Sequence, residues 1–136
     1  MKVMIDTNII ISAALFKSHA IKELMNNIFD NHTLVLTNSI IDEVKGVVSY
    51  KFPHKVDETD AFFASISFEY QHTPTNDDEE QIKIRDDSDR KIIASAKMAQ
   101  VDVLITGDKD FFDRTYDGIE ILTPAGFMKK YNGVII

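Results

Sequence analysis

Short apolar runs that alternate with helical stretches restrict the fold of this sequence more than any other feature. The runs Lys2–Asp6, Thr33–Thr37 and Asp102–Thr106 contain β-branched and other apolar residues, which predicts strands. The last two lack a strict alternation of apolar and polar residues, as expected when both faces of a sheet are buried. Strands that alternate with helices at this spacing predict a parallel sheet covered on both faces, which is an α/β sandwich.

Further segments complete this architecture. An apolar run at Ile9–Leu15 leads into a helix with apolar residues at helical spacing: Ile21, Leu24, Met25 and Ile28. Other segments predict helices over roughly Ser39–Tyr50, Val56–Ile66, Asp89–Gln100 and Pro124–Tyr131, and short strands at Phe68–His72 and Ile119–Leu122. The acidic, proline-containing segment Thr73–Glu80 predicts a solvated loop.

Length and composition fit one domain over residues 1–136. A chain of 136 residues with 44% hydrophobic and 27% charged residues can bury a self-sufficient core. No apolar run approaches the roughly 20 residues needed to span a bilayer, and the first residues carry no signal-peptide pattern. We therefore expect a cytoplasmic protein that makes no membrane contact.

Charge and absent residue types exclude several kinds of chemistry. The chain has no cysteine, which excludes disulfides, thiolate metal sites and a thiol nucleophile. Its formal net charge of -7 counts against a general nucleic-acid binder, because phosphate contacts come from lysine and arginine. No pair of catalytic histidines is predicted, since all four histidines lie among polar neighbours and are expected on the surface: His19, His32, His54 and His72.

Four acids are predicted to meet at one edge of the sheet. Asp6 ends the first apolar run, and Asp108 follows the run Asp102–Thr106 by two residues. Ligands of open parallel sheets bind beyond the carboxyl ends of the strands, near the point where strand order reverses. Glu43 lies beside the buried face of its helix, and Asp89 begins the apolar stripe of another.

Each of these acids also has a purely structural alternative, because an acid at a helix start commonly caps the helix. Asp42, the neighbour of Glu43, is expected on a polar face with Lys45, Gly46 and Ser49, and it also suits a capping box that begins at Ser39. Four carboxylates together repel one another unless a divalent cation lies among them. The cluster therefore predicts a Mg²⁺ or Mn²⁺ site that promotes in-line attack of water on a phosphodiester.

Several motifs, in order along the chain, resemble those of PIN-domain ribonucleases. They are Asp6-Thr7-Asn8, the single Glu43, Asp89 followed by Arg-Lys-Ile-Ile-Ala-Ser-Ala, and Ile105-Thr106-Gly107-Asp108-Lys109-Asp110-Phe111. The stretch Arg85-Asp86-Asp87-Ser88-Asp89 is similar to one in the VapC-like toxins of toxin–antitoxin pairs. The resemblance extends from Met1 to about Leu122.

The resemblance implies a parallel sheet with strand order 3-2-1-4-5 and cleavage of single-stranded RNA with Mg²⁺ or Mn²⁺. The catalytic, metal-holding acids that it implies are Asp6, Glu43, Asp89 and Asp108. Accessory roles are implied for Asn8, Thr106 and Asp110, and Asp86 is a further candidate for the third acid. A homodimer and an inhibitory antitoxin partner are also implied.

Basic residues close to these motifs are candidates for contacting the RNA backbone, although solvated surface charge is an equal alternative for each: Lys45, Arg85, Arg90, Lys91 and Lys109. Two other functions remain open. A haloacid-dehalogenase-like phosphatase would use Asp6 as nucleophile and Asp108 with Asp113 as its acidic motif, but Asn8 stands where its second acid is expected. A catalytically inactive PIN-like interaction module would keep the fold without turnover.

Overall fold

A parallel sheet with the predicted strand order forms the centre of the protein. The computed structural model describes residues 1–73, 87–113 and 115–131, and of residues 87–89 the backbone only. Within these ranges the sheet has five strands in the order β3-β2-β1-β4-β5, all paired in parallel. The strands are β1 (Lys2–Ile5), β2 (Thr33–Thr37), β3 (Glu69–Gln71), β4 (Val103–Ile105) and β5 (Glu120–Leu122).

Helices connect the strands and cover both faces of the sheet, which confirms the α/β/α sandwich. In chain order they are α1 (Thr7–Ile11), α2 (His19–Asn31), α3 (Asn38–Lys51), α4 (Val56–Ser65), α5 (Asp87–Met98) and α6 (Pro124–Tyr131). Helix α1 continues into a π-helical turn, Ser12–Phe16, which ends at Lys17 in the left-handed conformation (φ 47°). This turn separates α1 from α2, so the predicted single helical run is two elements.

The core lies where the central strands meet the apolar faces of the helices. Residues of β1, β2 and β4 are buried almost completely, which explains why their sequences show no strict alternation. Helix α3 contributes Ile40, Val44 and Val48, at the spacing of one helical face. None of the described helices is long and apolar enough to cross a membrane.

At the carboxyl ends of β1 and β2 a side chain caps the helix that follows, and β1 ends at Ile5, one residue before the predicted limit. Asp6 caps α1, with its carboxylate accepting a hydrogen bond from the N–H of Ile9. Thr37 caps α3, with its hydroxyl accepting from the N–H of Ile40. The predicted capping box at Ser39 is therefore wrong, since Ser39 already lies inside α3.

His32 is not the surface residue that the sequence predicts. It ends α2 half-buried, with its ring 5.5 Å from that of Phe127 and 6.4 Å from that of Tyr131, both on α6. Burial, together with the nearby amino group of Met1, lowers the pKa of His32 below its ordinary value. The other three histidines are exposed, as predicted. His32 therefore helps to attach α6 to α2, and its neutral form is favoured there.

Candidate active site

The described part of the candidate site lies where the strand order of the sheet reverses. Strands β2 and β3 lie on one side of β1, and β4 and β5 lie on the other. The carboxyl ends of β1 and β4 are therefore the switch point, at which open parallel sheets bind their ligands. Asp6 follows β1 and Thr106 follows β4, and the N–H of Asp6 donates to the carbonyl of Ile105 at 3.1 Å.

The Asp6 carboxylate is held on both oxygens. Its side chain is buried, with the residue only 8% exposed. Oδ1 accepts from the N–H of Ile9 at 3.0 Å, and Oδ2 accepts from the hydroxyl of Thr106 at 2.5 Å. Each oxygen accepts one hydrogen bond and so retains lone-pair capacity for another partner. Capping of α1 therefore accounts for only one side of this carboxylate.

Thr106 connects Asp6 to the acids that follow β4. Its fully buried hydroxyl donates to Asp6 and accepts from the N–H of Asp108 at 3.0 Å. The carboxylate of Asp108 accepts in turn from the N–H of Asp110 at 2.9 Å, while the residue remains exposed. The short helical turn Lys109–Asp113 thus orients Asp108, and Thr106 contacts both Asp6 and the backbone of Asp108.

A cleft beside this network contains Glu43. It has a volume of about 350 Å³ and is lined by residues from the end of β2, the start of α3 and the first half of α5: Thr37, Ser39, Ile40, Asp42, Glu43, Lys91 and Ile92. The register that pairs Met4 with Val35 places Asp6 level with Thr37, two residues further on. The cleft therefore opens next to the strand end that carries Asp6.

Asp42 lies in the same cleft, contrary to the prediction that it faces away from the site. Asp42 and Glu43 are both exposed, and both line the cleft wall. They differ by about 100° around the helix, but the cleft extends across the first turns of α3 and receives both. Asp42 is exposed, as its polar-face assignment predicts, but this face borders the cleft.

The position of Asp89 differs from the prediction in one respect. Helix α5 begins at Asp87, so Asp89 is its third residue and does not occupy the cap position. An acid in the first turn of a helix interacts favourably with the helix dipole. The Asp89 side chain lies outside the described part of the structure, as do Arg85 and Asp86.

The candidate RNA-binding residues fall on different surfaces. Lys91 lines the cleft, and Lys109 is exposed in the turn that follows β4. Lys45 instead contacts α4, with its amino group 3.9 Å from the Asp60 carboxylate and 5.9 Å from the centre of the Phe63 ring. Arg90 is half-buried on α5, and Asn8 is exposed on α1. Of the candidates that the structure describes, Lys91 lies in the cleft with Glu43, and Lys109 directly follows Asp108.

The side-chain oxygen atoms at this edge are suited to binding a hard divalent cation. Carboxylate and hydroxyl oxygens are the ligands that Mg²⁺ and Mn²⁺ prefer, and the chain has no thiolate to favour a softer metal. Among the side chains that the structure describes, no three acids or histidines come close enough together to hold an ion. Asp6 and Asp108 are connected through Thr106, Glu43 lies in the adjoining cleft, and Asp89 is on the helix that forms the opposite wall of that cleft.

One contact at this edge leaves no signal in the sequence. Thr73, just beyond β3, donates its N–H to Asn38 Oδ1 at 2.6 Å and its hydroxyl to Ser39 Oγ at 2.6 Å. These bonds fix the first turn of α3, and with it Asp42 and Glu43, against the neighbouring strand end. Such a contact joins residues 34 and 35 apart, so only the folded chain shows it.

Comparisons with known proteins agree with this geometry. A family model described as PIN domain matches residues 2–110. A chain of the VapBC2 complex from Rickettsia felis, solved with a DNA fragment from the promoter of the pair, has a TM-score of 0.73 at 16% identity. The match covers 90% of this chain and 98% of the Rickettsia felis chain. VapC20 of Mycobacterium tuberculosis, described as a Sarcin-Ricin loop cleaving toxin, has a TM-score of 0.61 at 13% identity, with coverages of 85% and 97%. No curated protein sequence matches significantly.

Proposed function

The chain belongs to the PIN-domain family, and from this premise we propose that it is a metal-dependent endoribonuclease that cleaves single-stranded RNA. The observation that carries the proposal is the hydrogen-bonded series Asp6–Thr106–Asp108 at the switch point of the sheet. A buried carboxylate held by a buried hydroxyl is rigid, which is what a site for a charged ligand requires. The expected substrate, a phosphodiester, is bound by cations and by local basic residues.

Mg²⁺ or Mn²⁺ would be held by Asp6, Glu43, Asp89 and Asp108, and would supply an activated water and neutralise charge on the phosphate. Thr106 keeps the Asp6 carboxylate in one orientation and restrains the backbone at Asp108. The turn after β4 directs Asp108 through the N–H of Asp110. Lys91 and Lys109 provide positive charge near the acids, which offsets part of the repulsion between an acidic protein and RNA.

The biological role that we propose is that of a toxin in a toxin–antitoxin pair. Support comes from the two solved structures named above, one of a VapBC complex and one of a VapC toxin. An antitoxin protein that inhibits the nuclease and a homodimer of this chain belong to the same proposal. In such a pair the toxin would act in the cytoplasm, where RNA is accessible.

Removal of the metal should stop cleavage of an unstructured RNA oligonucleotide, and removal of the Glu43 charge should slow it. EDTA should abolish cleavage, and excess Mn²⁺ should restore it. Glu43→Gln should lower the rate at saturating Mn²⁺ by about tenfold or more, since a lost ligand charge weakens the hold on the ion. The matched control is Glu23→Gln, an exposed acid on α2 paired with His19. Gel analysis of end-labelled RNA measures the cleavage rate under each metal condition and for each variant.

The same assay separates the alternatives. Unchanged cleavage in EDTA would contradict metal dependence. A protein that hydrolyses p-nitrophenyl phosphate but no RNA would be a phosphatase. A protein that cleaves neither substrate with any divalent ion, yet binds a partner protein, would be the inactive interaction module.

A further inference from the structure

We propose that Asp42 makes this nuclease select guanine in the nucleotide that occupies the cleft beside Glu43. The inference rests on the proposed ribonuclease function and adds a specificity residue to it. Asp42 and Glu43 are adjacent in sequence and line one cleft, but they differ by about 100° in direction. Glu43 is the acid proposed to hold the ion, so Asp42 is a second carboxylate left for the substrate.

The cleft has the composition of a site for a single nucleotide. Its volume of about 350 Å³ is at the small end of the roughly 300–1,000 Å³ that ligand pockets span. The half-buried Ile92 provides apolar surface for the face of a base, and Ser39 adds a hydroxyl group. Lys91 provides a cation that makes no ion pair with any described residue, which suits a phosphate. Base, sugar and phosphate each have a partner of matching chemistry.

Asp42 is free to take part in recognition. Its carboxylate is exposed, and it forms no hydrogen bond or ion pair within the described part of the chain. It is also not needed as a helix cap, because Thr37 fills that position. The Thr73 contacts to Asn38 and Ser39 hold the first turn of α3 in place, so the carboxylate projects from a fixed backbone.

Guanine is the base that an ionised carboxylate matches best. A carboxylate is an acceptor only, with two oxygens that can receive two parallel hydrogen bonds. The Watson–Crick edge of guanine presents two adjacent donors, N1–H and the N2 amino group. Cytosine and adenine present one donor beside an acceptor, and uracil presents one donor between two acceptors. Single-stranded RNA exposes these edges for recognition, so the expected preference is guanine first and uracil last.

The test compares two RNAs that differ by one functional group. A single-stranded oligonucleotide with guanine at the preferred cleavage position is matched with one carrying inosine, which lacks the N2 amino group. The wild-type protein should cleave the guanine RNA about tenfold or more faster at low substrate, a factor within the range for one bidentate base contact. Asp42→Asn should reduce this ratio to nearly one, because an amide has a single acceptor oxygen and cannot accept both hydrogen bonds.

Two control variants make the outcome specific. Lys91→Met should weaken the binding of both RNAs by the same factor. It should also reduce the salt dependence of binding, as loss of a phosphate contact does. Asp57→Asn, an exposed acid on α4, should change neither. A guanine-to-inosine ratio equal in wild type and Asp42→Asn, or a wild-type ratio of one, would overturn the proposal.

The guanine proposal can fail independently of the nuclease proposal. Fluorescence anisotropy in EDTA measures binding of the same two RNAs without cleavage. A protein that cleaves RNA without preferring guanine would refute the role of Asp42 alone. A protein that binds the guanine RNA more tightly through Asp42 but never cleaves it would refute the proposed nuclease function, while guanine recognition by Asp42 would still hold.

Discussion

Asp6→Asn is expected to abolish RNA cleavage while leaving the protein folded. The amide oxygen can still accept from the N–H of Ile9 and cap α1. The other side of the group becomes an NH₂, which cannot accept from the Thr106 hydroxyl and carries no charge for a cation. Metal stabilisation of a phosphoryl transition state is worth several kcal/mol, and about 1.4 kcal/mol corresponds to tenfold. We therefore expect the rate to fall by about a hundredfold or more.

The measurement is the initial rate of cleavage at saturating Mn²⁺, with the circular dichroism melt as the check on folding. Asp30→Asn, an exposed acid near the end of α2, is the control and should keep the wild-type rate. If Asp6→Asn folds and cleaves like the wild type, Asp6 is a helix cap and nothing more, and the site has to be sought elsewhere.

Phe127→Ala is expected to be the most damaging single change to the stability of the fold. Phe127 is completely buried on α6, and its ring contacts those of His32 and Tyr131. Truncation of a buried phenylalanine to alanine typically costs about 3–5 kcal/mol, out of a total stability of roughly 5–15 kcal/mol. Helix α6 lies beyond residue 110, where the family match ends, so the result also shows whether it belongs to the same folding unit.

Urea denaturation of the wild-type and Phe127→Ala proteins at one temperature measures the difference in their free energies of unfolding. Phe112→Ala is the matched control, because Phe112 is 45% exposed and should cost less than about 1 kcal/mol. A Phe127→Ala protein within 1 kcal/mol of wild type would mean that α6 does not pack as the structure shows. The control separates the loss of a packed ring from the general effect of removing an aromatic side chain.

The sheet could be predicted from the sequence because its central strands are apolar throughout. Runs such as Thr33–Thr37 are buried on both faces, and their short length and β-branched residues are typical of buried strands. The switch point could be predicted as well, because an acid follows each of the two strands that meet there, and the Thr106 hydroxyl connects them. Strand order itself came from the resemblance to PIN-domain ribonucleases.

The details that the sequence could not show depend on contacts between distant residues. Whether Thr37 or Ser39 caps α3 is decided by where β2 ends, and the face of Asp42 borders a cleft only because Lys91 and Ile92 form its other wall. His32 appears solvated among its neighbours in sequence, but α6 packs over it from nearly a hundred residues away. Lys45 is close in sequence to Glu43, yet the approach of α4 gives it a partner in Asp60. Local patterns contain no information on such contacts.

Binding of Mn²⁺ to the protein in solution tests most directly whether the acids at the switch point form a cation site. Electron paramagnetic resonance reports the free ion, so titration of the wild-type protein should remove the free Mn²⁺ signal at millimolar concentrations or below, and bound ion should raise the melting temperature. Asp6→Asn should bind at least about tenfold more weakly, since it lacks one ligand charge. A wild-type protein that leaves the free Mn²⁺ signal unchanged, or an Asp6→Asn protein that binds as tightly as wild type, would contradict a carboxylate-held metal at this edge.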